Sequence, residues 1–181
     1  MNINPVQVRI KKAHPGEAAL VADIGRITFY ETWKSVNTEE DLQAYMSKSF
    51  DSEKLKGEIE NSLVTTFLFA YVDDELAGYV KLRNDRTPEK LGDLSLEIER
   101  IYVLKKFQDK KVGKALMDEC LEMASKGNYV WVWLGVNQEN IKAVNFYNRY
   151  GFEVFGTKKF ILGTAIDEDF LMKRPMNPDK Y

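Results

Sequence analysis

Two stretches of this sequence place residues that could do chemistry at telling intervals. The first is KKFQDKKVGK, residues 105–114, which leads out of an apolar run and into a helix-forming one. Lys105, Lys106, Lys110, Lys111 and Lys114 crowd positive charge onto this junction, and Gly113 lets a ligand come close to the backbone. A helix start presents unpaired N–H groups and a positive dipole end, so such a junction can hold phosphate. Neither the GxxxxGK[ST] loop nor the GxGxxG fingerprint is present. On the stretch alone, a phosphate cradle and a solvated lysine-rich helix start are equally open readings. The second stretch is NQENIKAVNFYNRYGF, residues 137–152, with Asn140, Ala143, Phe146, Tyr147 and Gly151 along one helical segment. An aromatic pair on a helix is by itself as good a core feature as a catalytic one.

These stretches need elements to hold them. Val6, Val8 and Ile10 alternate and predict a first strand. Glu17 to Trp33 reads as a helix, with Leu20, Ile24, Ile27 and Glu31 near helical spacing. Thr38 is the expected N-cap of the next helix, with Asp41 three residues on, and Ser52 of a further short one. The period then changes. Residues 64–72, 75–83 and 94–104 predict three antiparallel strands, with a tight turn at 73–75. In the third, Leu94, Leu96 and Ile98 alternate with Ser95, Glu97 and Glu99. The alternation fails from Ile101, which predicts a bulge near Arg100 or Ile101.

After Gly113, Val112, Leu116, Cys120 and Ala124 form the stripe of a helix with a broad buried face. Residues 129–136, YVWVWLGV, are apolar on both faces, as in a central strand covered on both sides. Asn137 is the expected cap of the following helix, whose buried side should include Ile141, Val144, Phe146 and Tyr147. Gly151 suits a left-handed C-terminal cap. Two strands, 152–162 and 165–175, close the chain. The order implies a mixed α/β sheet with one right-handed crossover, and 181 residues without a linker imply a single domain, 1–181.

Composition narrows the chemistry. Apolar residues make up 44% of the chain, enough for a sizeable core, and the net charge of −2 argues against a general nucleic-acid binder. One cysteine, Cys120, and one histidine, His14, leave little from which to build a Cys/His zinc site or a Ser-His-Asp triad. Without a signal peptide or a membrane-spanning run, the expectation is a cytoplasmic protein that binds neither membrane nor nucleic acid.

Gln108 to Gly113 resembles the Q/R-x-x-G-x-G/A pattern of the GNAT superfamily of acetyl-CoA-dependent N-acetyltransferases. Asn140, Ala143, Phe146, Tyr147, Gly151 and Phe152 match the family's second pattern, in the right order and at the right separation. The early stretch TFYETWKSVNTEEDLQAYMSKSF, 28–50, further resembles the PaiA-type spermidine/spermine acetyltransferases. One departure is plain: Lys111 stands where the family has its first glycine. That substitution is tolerable unless the position requires positive φ.

The resemblance implies a mostly antiparallel central sheet, flanked by helices and splayed between the fourth and fifth strands. It implies acetyl-CoA as co-substrate and no metal. Ile101, Tyr102 and Val103 would pair with the pantetheine arm like an added strand. The backbone of Asp109, Lys110, Lys111, Val112, Gly113 and Lys114 would hold the pyrophosphate, with Gln108 orienting the loop and Asn140 and Ala143 completing the cofactor site. Glu99 is the first candidate base and Glu97 the second, and Tyr147 is the candidate acid for the leaving thiolate. Tyr30, Glu31 and Glu97 would line the acceptor site. The implied reaction is direct acetylation of a primary amine in a ternary complex, with a polyamine first and a protein N-terminus or another small amine as alternatives. A non-catalytic acyl-CoA-binding regulatory domain is the alternative of a different class. A homodimer is compatible with the family.

Overall fold

Alternation at Val8 and Ile10 does produce a strand, β1 (Val8–Lys12), and its apolar side packs on the sheet core. Val6 lies outside the residues 7–91 and 94–177 that the computed structural model describes. Three helices follow: α1 (Ala18–Trp33), α2 (Glu39–Ser49) and α3 (Ser52–Glu60). Then come β2 (Thr65–Val72), β3 (Glu75–Arg83), β4 (Ser95–Val103), α4 (Val112–Lys126), β5 (Trp131–Asn137), α5 (Ile141–Arg149), β6 (Glu153–Leu162) and β7 (Ala165–Pro175).

The seven strands form one sheet in the order β1-β2-β3-β4-β5-β7-β6. Every neighbouring pair is antiparallel except β4 and β5, which are joined through α4 and run parallel. Their pairing covers only Ser95↔Trp131 to Ile98↔Leu134. Beyond it β4 continues with β3 and β5 with β7, so the sheet opens between the two central strands. One face carries α4, whose Val112, Leu116, Met117, Cys120 and Ala124 are buried against Leu96, Ile98, Val132 and Leu134. Full burial of each leucine contributes about 1.5–3 kcal/mol. The other face carries α1 to α3 over Phe67, Phe69 and Tyr79.

Several local expectations shift. Ile24 is buried as expected, together with Ala18, Val21, Ala22, Gly25, Thr28 and Phe29, while Leu20 and Ile27 face solvent. Small residues win that face because the helix lies against Phe50, whose ring a methyl group on Gly25 would meet at 2.4 Å. Thr38 caps α2 through Asp41 N as expected, but Asp51 rather than Ser52 caps α3, accepting from Lys54 N at 2.8 Å. Asn140 rather than Asn137 caps α5, because Asn137 is still strand and spends its side-chain oxygen on Glu139 N. Of the predicted α5 face only Tyr147 is fully buried, and Ile141 is exposed. The turn at 73–75 has positive φ at Asp73 and Asp74, the signature of a tight hairpin turn.

The predicted bulge is present beside Arg100. Lys81 pairs with Arg100 and Leu82 with Ile98, so Glu99 is the extra residue. It inverts the alternation. Leu96 and Ile98 before it, and Ile101 and Val103 after it, all face α4. Tyr102 therefore faces α1 and α2.

Candidate active site

The opening between β4 and β5 leads into a cleft of about 1020 Å³. Its β4 wall includes Ile101, Tyr102 and Val103, all half-buried, on a strand edge that β5 has left. Backbone polar groups on such an edge call for a partner, and an extended ligand arm can supply one. Across the opening stand Asn140, Ala143 and Tyr147 of α5. The carboxamide oxygen of Asn140 is engaged as the cap, accepting from Ala143 N at 3.1 Å.

At one end lies the lysine-rich junction. Residues 105–107 form a 3-10 turn that runs into α4. Gln108, Asp109, Lys111, Gly113 and Lys114 line the cleft. Lys110 and Val112 are not among its lining. The Lys110 N–H is spent on Phe107 O, and Val112 is wholly buried beneath the helix start. The first N–H to enter the helical ladder is that of Ala115, which donates to Lys111 O, so those of Val112, Gly113 and Lys114 precede it. Lys142 Nζ donates to Gln108 Oε1 at 3.2 Å and ties α5 to this turn. Two of the lysine side chains are not free: Lys106 pairs with Glu75 and Lys114 with Asp118. Lys111 is the N-cap, at φ 60° and ψ 16°. The position that matches the family's first glycine is thus left-handed in this chain, and a lysine accepts it at a cost of about 1–2 kcal/mol.

The two candidate bases differ sharply. Glu99 accepts from Lys81 Nζ at 3.0 Å and from Arg83 Nη1 at 3.1 Å, with Arg100 at 3.9 Å. Burial pushes its carboxyl up, but the Lys81 and Arg100 charges and the bonds from Lys81 and Arg83 outweigh it, and the net shift is downward. Glu97 is 4% exposed and its Oε2 has no hydrogen-bond partner among the described residues. Burial first, and then the Glu99 charge, raise its pKa above the usual carboxylate range. Both line the cleft. Tyr147 is buried, ringed by Phe146 and Phe152, and burial pushes its hydroxyl well up, so it stays protonated at working pH.

The face carrying Glu97 is closed by Phe29 and Trp33 of α1, Tyr45 of α2 and Phe160 of β6. Trp33 stacks on Phe160 with ring centroids 6.1 Å apart. Glu31 reaches this cleft, but its Oε2 accepts from Lys105 N at 3.1 Å and pins the 3-10 turn to α1. Tyr30 does not line the cleft and donates its hydroxyl to Glu39. Sequence reasoning missed Arg86, Lys158 and Gly135, which do line it. Asp167 and Asp169 line it too. Asp169 is 8% exposed, and burial raises its pKa. Nothing local marks Lys158.

The model of the acetyltransferase (GNAT) domain family matches residues 34–163. An uncharacterised N-acetyltransferase of Lactobacillus delbrueckii subsp. lactis is 38% identical over 154 residues, covering 84% of this chain and 88% of that one. A spermidine N(1)-acetyltransferase of Thermoplasma acidophilum is 24% identical over 172 residues, covering 93% and 98%. The crystal structure of PaiA N-acetyltransferase from Thermoplasma acidophilum in complex with coenzyme A superposes with a TM-score of 0.77 at 24% identity, over 93% of this chain and 99% of that one. The splayed sheet is thus the fold these proteins share, and the chain belongs to the GNAT acetyltransferases, enzymes of acetyl-CoA-dependent N-acetylation.

Proposed function

We propose that one acetyltransferase domain, spanning 1–181, acetylates the primary amine of a small molecule, a polyamine such as spermidine, by direct attack in a ternary complex. The observation that carries this reading is Glu97, a buried carboxylate whose Oε2 has no hydrogen-bond partner among the described residues, on the cleft face that also holds Asp167 and Asp169. A buried carboxylate with an unsatisfied oxygen is costly, and a protein that merely bound an acyl-CoA would have no use for it. The three carboxylates suit an acceptor with more than one ammonium group. The Thermoplasma relative that carries the name spermidine acetyltransferase supports the same acceptor class.

Acetyl-CoA supplies the acetyl group as a thioester. The open edge of Ile101, Tyr102 and Val103 binds its extended arm. The N–H groups of Gly113 and Lys114 take its phosphates. Glu97, its basicity raised by burial, receives the proton of the attacking amine as the new C–N bond forms. Glu99, pinned by Lys81 and Arg83, holds the bulge that turns Tyr102 toward the acceptor side. Tyr147 gives its proton to the departing thiolate as the C–S bond breaks, so coenzyme A leaves as a thiol.

The test is release of coenzyme A thiol with spermidine, a peptide with a free N-terminus, and no acceptor. Turnover fastest with spermidine is expected. Turnover only with the peptide would move the acceptor to protein N-termini. Tight acetyl-CoA binding with no release from any amine would leave a binding domain.

A further inference from the structure

Lys158 enters the acceptor side of the cleft from β6. It stands directly opposite Asp169 in the β6–β7 ladder. Its side chain passes over Gly135: a methyl group there would lie 2.9 Å from both Cε and Nζ, and 3.6 Å from Asp169 Oδ2. Gly135 is the first β5 residue beyond the last pair with β4, Ile98↔Leu134. The ammonium therefore stands at the mouth of the opening, above the face that carries Glu97. Its charge opposes the effect of burial on both Glu97 and Asp169. Yet Lys158 is exposed and makes no ion pair within 4.0 Å among the described residues, so nothing fixes it there. Arg86, which also lines the cleft, and Arg83 act on Glu97 in the same sense, and an unfixed cation that faces two buried carboxylates adds to their counter-charge until a cationic ligand arrives.

We infer that Lys158 determines acceptor specificity, as a resident ammonium that compensates Glu97 and Asp169 in the free cleft and must give way when a polycationic acceptor enters. The inference rests on the reading that these carboxylates receive the acceptor. Lys158 disfavours a second ammonium more than a first, because the reacting amine loses its charge before attack and the distal one does not. It tunes the site away from indiscriminate polycation binding.

The experiment compares 1,6-diaminohexane with hexylamine at saturating acetyl-CoA, in the native protein, Lys158→Met and Lys158→Arg. Methionine keeps the length of the side chain and removes its charge. The ratio of kcat/KM for the diamine to kcat/KM for the monoamine should rise about fivefold to tenfold in Lys158→Met, a ratio in which any change in the basicity of Glu97 cancels. Lys158→Arg should behave as the native protein. An unchanged diamine-to-monoamine ratio, or one that moves toward the monoamine, overturns the inference. If neither amine is acetylated by any of the three proteins, the acceptor reading itself fails. Calorimetric titration of the diamine into the coenzyme A-loaded proteins then still decides. Tighter binding to Lys158→Met supports the inference, and equal or weaker binding overturns it.

Discussion

Replacing Lys111 by glycine should make this protein more stable. Lys111 holds φ 60° at the N-cap of α4, a conformation in which the side chain crowds its own backbone. Relief of that crowding is worth about 1–2 kcal/mol. Glycine gives back about 0.5–1 kcal/mol through the greater freedom of its unfolded chain. The balance is a gain of about 0.5–1 kcal/mol. For a chain of this size that raises Tm by about 1–4 °C. Alanine is the control, because it removes the same charge and keeps the strained φ, so Lys111→Ala should stay within about 1 °C of the native protein. Both variants should lose coenzyme A affinity equally if the side chain meets a phosphate, since both lose the same ammonium. Thermal unfolding of the three proteins, with coenzyme A titrations alongside, reads both quantities. A Tm for Lys111→Gly equal to or below that of Lys111→Ala would refute the claim that strain is stored at this cap.

Glu97→Gln should lower turnover by about 10²–10³-fold at neutral pH, with the deficit shrinking as pH approaches the amine pKa of about 10.4. The same variant should raise Tm, by an amount worth about 1 kcal/mol, because it removes an unpartnered buried charge; a raised carboxyl destabilises the ionised fold above its unfolded pKa, and acid relieves that cost. Glu99→Gln should do the reverse, costing about 1–3 kcal/mol of stability by stripping Lys81 and Arg83 of a partner while Glu58 still holds Lys81. Its pH signature has the opposite sign: a depressed carboxyl stabilises the fold above its unfolded pKa, so the native protein should lose stability as pH falls below about 4.5 and Glu99→Gln should lose less, as acid-titrated unfolding will read. Tyr147→Phe should cut turnover about 10²-fold and leave acetyl-CoA affinity intact by calorimetry, and unchanged turnover would remove it from the acid role.

Much of this was legible in periodicity. The stripe Val112, Leu116, Cys120 and Ala124 marked α4 correctly because a helix on a sheet must bury one continuous side. The two-faced apolar run at 129–136 marked β5, which begins at Trp131, because the strand lies between layers. What periodicity did not carry was of two kinds. Leu20 and Ile27 misplaced the face of α1 because large apolar residues were counted and the small ones that admit Phe50 were not. Glu99 outranked Glu97 as the base because sequence shows a carboxylate and not its neighbours. Lys81 and Arg83 lie on β3, and only the register across to β4 brings them onto Glu99. Lys158 and Asp169 meet the site by the same kind of long-range pairing, which no local pattern encodes.

The short parallel contact between β4 and β5 has a further consequence, for how the molecule comes apart. Four residue pairs stitch the ladder of β1 to β4 to the ladder of β5, β7 and β6, whereas the antiparallel joints on either side run longer. The sheet therefore has a seam, and the N-terminal ladder can form from neighbours in the chain before the seam closes. A ligand lying in the opening touches both ladders and so acts as a staple. Its binding free energy should appear first in the amide protection of Ser95–Ile98 and Trp131–Leu134, and the cooperativity of unfolding should rise with ligand concentration.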